Sequence, residues 1–150
     1  MPRLLLVQHT PSPSVQSMLE SVLRGTGHPE VGPLDVQVRA ALSAGPADVL
    51  EADGVILGTP ANIGYMSGAL KHFLDQIYYP CLEVTTGKPY GVYIHGNDDT
   101  AGALRAIHSI VGGMSWKQVA ADVSVTGTPT KDDLTACEEL GSLVGFAAAG

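Results

Sequence analysis

The chain has 150 residues, of which 45% are hydrophobic and 15% are charged, a balance typical of a folded globular protein rather than a disordered one. Its net charge of -7 argues against nucleic acid as a partner, since phosphate binding requires clustered lysine and arginine. No apolar run approaches the ~20 residues of a membrane span, so we expect a cytoplasmic protein with no membrane partner. Cys81 and Cys137 lie far apart with no other ligand at metal-binding spacing, which predicts two free thiols and no metal site.

The N-terminal segment predicts a strand followed by a helix. Residues 3–8 form a continuous apolar run, as in a strand that is buried on both faces. Residues 12–27 carry apolar side chains at helical spacing. Ser12 is suited to cap this helix, and Gly25 and Gly27 are expected to end it.

The rest of the chain continues to alternate between strand and helix patterns. Apolar or alternating runs predict further strands at residues 34–42, 54–59, 89–96 and 117–125. Helical spacing predicts further helices at residues 66–79, 100–113 and 130–150. Thr130 is the expected N-cap of the last helix, with Asp132 and Asp133 in its first turn.

This alternation predicts an α/β three-layer sandwich with a five-stranded parallel sheet, formed by residues 1–150 as a single domain. Such sheets bind ligands at the carboxyl ends of their strands. The loops to inspect are therefore those at residues 8–14, 59–66 and 95–100.

The first loop offers hydroxyl groups at the start of a helix. Thr10, Ser12 and Ser14 precede or open the helix, whose free N–H groups and partial positive charge attract anions. This arrangement favours a phosphate site. The alternative is that Ser12 only caps the helix and that the other hydroxyls are solvated.

The second loop combines a proline, an asparagine and a glycine between a strand and a helix. Pro60 is expected to set a rigid turn, Asn62 to tolerate unusual backbone angles, and Gly64 to let the backbone approach a flat ligand. Tyr65 could pack near such a ligand. The alternative is an ordinary strand-to-helix turn.

The third loop, residues 95–100, contains polar and acidic residues before a helix. Asp98 or Asp99 is the expected N-cap. His95 could contact a ligand or simply form a hydrogen bond with the backbone. The acidic pair has no further carboxylate nearby in the pattern, so we predict no metal site here.

The second loop and the helix after it carry a resemblance to a known superfamily. The segment TPANIGYMSGALKHFLD contains Thr59-Pro60, then Gly64, and ends in Leu70-Lys71 and Phe73-Leu74-Asp75. It resembles the flavodoxin-like superfamily, nearest to its NAD(P)H-dependent FMN reductase and quinone oxidoreductase families. The resemblance covers almost the whole chain in the order of its elements, and it implies the strand order 2-1-3-4-5.

The resemblance also implies FMN as the cofactor, with NAD(P)H as the electron donor. The implied phosphate loop contains Thr10, Ser12, Ser14 and Val15. The residues implied to line the flavin ring are Pro60, Ala61, Asn62, Ile63 and Gly64, with Tyr65 beside them. The third implied FMN loop contains His95, Gly96 and Asn97.

The expected function is that of an FMN-binding oxidoreductase that takes hydride from NAD(P)H and reduces a quinone or a flavin. No catalytic side chain is predicted, because the cofactor carries the chemistry. One alternative is a flavodoxin-type electron carrier that docks on a redox partner protein, which the charge of -7 favours. Another is a protein of this fold that binds no flavin. Family likeness implies a homodimer, and Tyr78, Tyr79 and Pro80 are either contacts of such a dimer or ordinary packing residues.

Overall fold

The computed structural model describes residues 1–150 as a central sheet with helices on both faces. The strands are β1 (Arg3–Gln8), β2 (Asp35–Ala40), β3 (Gly54–Asn62), β4 (Tyr65–Met66), β5 (Pro89–Gly96), β6 (Lys117–Gln118) and β7 (Val123–Thr126). The helices are α1 (Pro13–Thr26), α2 (Pro46–Glu51), α3 (Gly68–Cys81), α4 (Ala101–Gly113) and α5 (Lys131–Ala149), with a 3-10 helix at Pro29–Val31.

The main strands lie in the order β2-β1-β3-β5-β6, and β7 pairs with the second half of β5. All pairs are parallel except β3 with β4. If the short hairpin strand β4 is left out, the main strands follow the predicted order 2-1-3-4-5. The predicted fifth strand, however, consists of two short strands, β6 and β7. The chain leaves the ladder between them, and there the Asp122 carboxylate accepts a hydrogen bond from His108 Nε2 (2.8 Å).

Helix α2 was not predicted from the sequence, because six residues are too few to show a helical period. Its start is nevertheless well formed. Pro46 occupies the first turn, where its missing N–H is not needed, and the Asp48 carboxylate accepts from the Gly45 N–H (2.9 Å).

The sheet separates two hydrophobic layers, because successive side chains of each strand point to opposite faces. Leu5, Val7 and Phe73 belong to the layer that α3 and α4 cover. Leu4 and Leu6 belong to the layer beneath α1 and α5. The apolar stripe of α3, formed by Leu70, Phe73, Leu74 and Ile77, is buried throughout. No helix has both the length and the apolar character that crossing a membrane would demand.

Helices α1 and α5 touch backbone to backbone. A Cβ built on Gly25 would lie 1.8 Å from the Glu138 carbonyl oxygen, and one built on Gly141 would lie 2.0 Å from the Val22 carbonyl oxygen. The prediction that Gly25 helps to end α1 is therefore wrong. The helix continues to Thr26, and the glycine is needed because α5 approaches there.

Two buried tyrosines of β5 differ in how their hydroxyl groups are satisfied. Tyr93 is fully buried and its Oη has no hydrogen-bond partner, and burial raises the pKa of its hydroxyl group. The distance between Tyr90 Oη and His108 Nδ1 is 2.6 Å. Burial raises the pKa of the Tyr90 hydroxyl group to about 12. His108 thus joins Tyr90 to Asp122.

The α1–α5 contact predicts that Gly141→Ala lowers the free energy of unfolding by about 2–4 kcal/mol, since the added methyl group meets backbone rather than a movable side chain. Gly112→Ala is the matched control, because a Cβ at Gly112 meets nothing within 4 Å and alanine is the better helix former. Urea denaturation of both variants measures the difference. Equal stabilities for the two variants would contradict the close approach.

The unsatisfied hydroxyl group predicts that Tyr93→Phe raises the free energy of unfolding by about 1 kcal/mol, because a buried donor without a partner is removed. Tyr90→Phe removes the same atom from a hydrogen-bonded pair and should lower stability by about 1 kcal/mol. Thermal and urea denaturation compare the two variants. Destabilisation by both substitutions would show that the Tyr93 hydroxyl group has a partner.

Candidate functional site

A crevice lies at the carboxyl ends of β3 and β5, beside the start of α1. One cavity of about 300 Å³ is lined from three sides, by Pro11, Ser12, Ser14, Pro60, Ala61, Asn62, His95, Gly96 and Asn97. A second cavity of about 610 Å³ adjoins it and shares Ala61, Asn62 and Asn97. The three loops that the sequence singled out therefore meet at one place.

The first wall of the crevice is the start of α1. Ser12 is its N-cap, as predicted, but the distance from Val15 N to Ser12 Oγ is 3.4 Å, longer than an ordinary hydrogen bond. Ser14 lines the crevice. The Thr10 hydroxyl donates instead to Gln8 Oε1. Hydroxyl and amide groups near Ser12 and Ser14 are thus available to an anion.

The second wall is formed by β3 itself, which continues beyond the end of β1. The last residue of β1 to pair with β3 is Gln8, opposite Gly58, and the Gly58 carbonyl accepts from the His9 N–H (3.0 Å). The backbone of Pro60, two residues after Gly58, faces the β1 side as well, but β1 has already ended there. The missing N–H of Pro60 therefore removes no hydrogen bond between β1 and β3. The prediction of a turn at Pro60 is wrong: it lies within β3, paired with His95.

A buried hydroxyl pair fixes β3 to the start of α3. The Thr59 hydroxyl donates to Ser67 Oγ (3.0 Å) and accepts from the Ser67 N–H (3.2 Å). Ser67 is the N-cap of α3 and accepts from the Leu70 N–H (3.2 Å). Both hydroxyl groups are shielded from water, so the segment between them is anchored at both ends.

The anchored segment folds back as a tight hairpin. Asn62 pairs with Tyr65, and the two residues between them have positive φ, 51° at Ile63 and 72° at Gly64. Two positive values in a two-residue loop are typical of a type I′ turn. The unusual backbone predicted for Asn62 therefore lies at Ile63, a β-branched residue for which this conformation is strained. The Ile63 side chain is fully exposed at the tip.

The third wall is the end of β5 and the loop before α4. His95 Nε2 donates to the Gly127 carbonyl (2.6 Å), so the histidine forms the backbone hydrogen bond that was one of its two expected roles. The N-cap of α4 is Thr100 rather than Asp98 or Asp99. Thr100 Oγ1 lies 2.5 Å from Ser124 Oγ, and the Asp99 carboxylate accepts from the Ala101 N–H (2.8 Å).

Most of the residues that the resemblance implied line these two cavities, and their role in binding stays a prediction. Three do not line them: the Thr10 hydroxyl is bonded to Gln8, Val15 is buried in the core, and Tyr65 lies in β4. Pro11, Asp98 and Asp99 line the cavities and were not predicted to bind a ligand. Their position in the same loops was the available signal.

The charge of the crevice is uneven. No lysine or arginine lines either cavity, and no aspartate or glutamate lines the smaller cavity beside Ser12. Asp98 and Asp99 lie at the other end, beside the hairpin tip. An anion is therefore favoured only at the helix start, where the dipole of α1 is positive.

The sequence model of the NADPH-dependent FMN reductase family matches residues 26–130. The chain belongs to this family. The match includes the hairpin and the loop after β5, while the loop at the start of α1 precedes it. The name of the family includes both FMN and NADPH, in agreement with the FMN cofactor and the NAD(P)H donor that the sequence resemblance implied.

Comparison with individual proteins agrees with this family and fold. The chain is 29% identical over 103 residues to an NAD(P)H dehydrogenase (quinone) of Acidithiobacillus ferrooxidans, a match that covers 65% of this chain and 50% of that protein. The chain thus spans about half the length of this curated relative.

Solved structures show that the fold is flavodoxin-like, as predicted. A flavodoxin, WrbA-like protein from Agrobacterium tumefaciens has a TM-score of 0.77 at 18% identity and covers 99% of this chain and 98% of its own. The flavodoxin of Streptococcus pneumonia TIGR4 has a TM-score of 0.80 at 20% identity, covering 95% and 97%.

The residues present fit FMN. Ser12 and Ser14 offer hydroxyl groups at a helix start, which suits a phosphate. Ala61 and Asn62 form a wall of backbone and short side chains beside the larger cavity. A Cβ at Gly96 would lie 3.3 Å from Ala61 Cβ and 3.1 Å from Thr100 Cγ2, so the glycine lets the end of β5 pack closely against both residues.

The strained hairpin predicts that Ile63→Asn raises the free energy of unfolding by about 1 kcal/mol, because asparagine accepts a positive φ at lower cost. Val84→Asn is the control, since Val84 is also β-branched and exposed but is not among the residues with positive φ. Its stability should change by no more than ~0.5 kcal/mol. Urea denaturation without flavin measures both, and a loss of stability in Ile63→Asn would contradict the strain.

Proposed function

We propose that this protein is an FMN-dependent oxidoreductase that takes hydride from NAD(P)H and reduces a quinone or a free flavin. The observation that carries the proposal is the meeting of the three loops at one crevice, in a chain of the NADPH-dependent FMN reductase family. The flavin supplies the redox chemistry when it is bound. The protein's own residues bind it, orient it and control access.

The start of α1 is the proposed phosphate seat. Ser14 lines the crevice. The hydrogen bond from the Val15 N–H to Ser12 Oγ is long, so this N–H group can donate a better hydrogen bond to a phosphate oxygen. The partial positive charge at the start of the helix compensates for the absence of lysine and arginine. Pro11 and Pro13 restrict the loop but donate no N–H.

The hairpin of β3 and β4 is the proposed wall for the flavin ring. Backbone N–H and C=O groups around Ala61 to Gly64 can form hydrogen bonds with the edge of a heterocycle. The Thr59–Ser67 pair holds this wall in place. Asn97 lies across the crevice and offers an amide group to the same ligand. No side chain here is assigned as an acid or a base.

A flavodoxin-type electron carrier is the second candidate function. Its support is the net charge of -7, since an acidic carrier can dock on a basic partner protein. A carrier accepts electrons from a partner protein rather than hydride from a nucleotide. A homodimer also remains a prediction, supported by the large exposure of Tyr79, 80%.

The first experiment adds NADPH under anaerobic conditions to the protein loaded with FMN and follows the visible flavin absorbance. We expect rapid bleaching, followed by recovery when a quinone or free FMN is added. Free FMN at the same concentration, without protein, is the blank. Bound flavin that dithionite reduces but NADPH does not would contradict the reductase and favour the carrier.

A pair of variants tests whether FMN occupies the proposed seat. Ser14→Asp places a carboxylate where the phosphate is expected, and FMN affinity should fall at least about tenfold. Ser17→Asp makes the same change one turn further along α1, where the side chain does not line the crevice, and should retain FMN. Equal FMN affinity in the two variants would exclude this helix start as the phosphate seat.

A further inference from the structure

We infer that Arg105 binds a phosphate group of the nucleotide that donates hydride, at the outer end of the crevice. This inference rests on the proposed function, because it concerns how the same crevice recruits its donor. Arg105 was not among the residues that the sequence or the resemblance pointed to, and it lies outside the three loops.

The position of Arg105 follows from the start of α4. Its side chain leans back toward the first turn of the helix, as helical side chains do. A Cβ built on Gly102 would lie 2.6 Å from the Gly64 carbonyl oxygen and 3.8 Å from Arg105 Nη2. The guanidinium group therefore lies beside the hairpin turn that forms one wall of the larger cavity.

Arg105 also has no ion-pair partner. Its side chain is exposed, and it takes part in none of the ion pairs of the molecule. Arg3, Arg39 and Lys71, by contrast, each have a carboxylate partner. An arginine without a partner keeps its five N–H donors available, and these match the oxygen atoms of a phosphate.

A nicotinamide dinucleotide that binds at the outer end of the crevice needs a cation there. Nicotinamide dinucleotides carry several negative charges, and the chain has a net charge of -7. Asp98 and Asp99 line the same cavity and oppose the binding of an anion. The Asp99 carboxylate already accepts a hydrogen bond from the Ala101 N–H, so Asp98 opposes the binding of an anion more strongly than Asp99 does.

The start of α4 supports the arginine. The Thr100 side chain makes no capping hydrogen bond to the helix, because its hydroxyl group is paired with Ser124. The Asp99 carboxylate accepts only from the Ala101 N–H there, so the other N–H groups of the first turn add their partial positive charge to that of the guanidinium group. The phosphate involved is either the pyrophosphate, common to NADH and NADPH, or the 2′-phosphate of NADPH alone.

Equilibrium binding of adenosine 2′,5′-bisphosphate, measured by calorimetry on FMN-loaded protein, tests the inference without any reaction. Arg105→Gln should weaken binding by about tenfold, and Arg105→Lys should retain part of it. Asp98→Asn should strengthen binding by up to about fivefold. Lys117→Gln removes a charge at the opposite end of the strands, where β6 pairs with the start of β5, and should have no effect.

Anaerobic flavin reduction then identifies the phosphate. If the apparent affinity for NADPH falls in Arg105→Gln while that for NADH is unchanged, the contact is to the 2′-phosphate; an equal fall for both indicates the pyrophosphate. The inference is overturned if Arg105→Gln and Lys117→Gln behave alike, if wild-type protein does not bind the bisphosphate, or if Arg105→Gln loses FMN instead. Failure of NADPH and NADH to reduce the flavin contradicts the proposed function, and the calorimetry still decides on Arg105.

Discussion

The buried hydroxyl pair of Thr59 and Ser67 is the interaction on which the crevice depends. It joins the end of β3 to the start of α3 and anchors the hairpin between them at both ends. Beyond the end of β1, β3 stays paired with β5 as far as Pro60 and His95, and the hydroxyl pair fixes where the chain returns, so the backbone on the other side of β3 is free for a ligand. Pro60 is compatible with the extension because no neighbouring strand requires its N–H. The chain then returns through a tight turn with positive φ at Ile63 and Gly64.

The two ends of the crevice differ in charge, and this difference determines how an anionic ligand is oriented. The inner end, at the start of α1, attracts an anion through hydroxyl groups, free amides and the helix dipole. The outer end carries Asp98 and Asp99, with Arg105 beside the hairpin tip. A flavin phosphate at the inner end and a nucleotide phosphate at the outer end would place the redox-active rings between them. The acidic surface of the rest of the chain keeps other anions away.

The sequence predicts those features that depend on local patterns. The apolar runs of the main strands, the buried stripe of α3 and the caps Ser12 and Thr130 are all found in the structure. Features that depend on distant neighbours were missed. Gly25 marks the approach of α5 rather than a helix end, and Pro60 lies in a strand because β1 ends two residues earlier in the register. Arg105 has no motif of its own, and only the fold brings it to the crevice.

The central claim is that the crevice between the start of α1 and the β3–β4 hairpin binds FMN with its phosphate at the helix. Titration of flavin fluorescence with the apoprotein, comparing FMN with riboflavin, tests it most directly, since the two ligands differ only in the phosphate. The account predicts saturable binding of FMN and binding of riboflavin that is weaker by at least about tenfold. Equal affinities, or no binding of FMN, would contradict it.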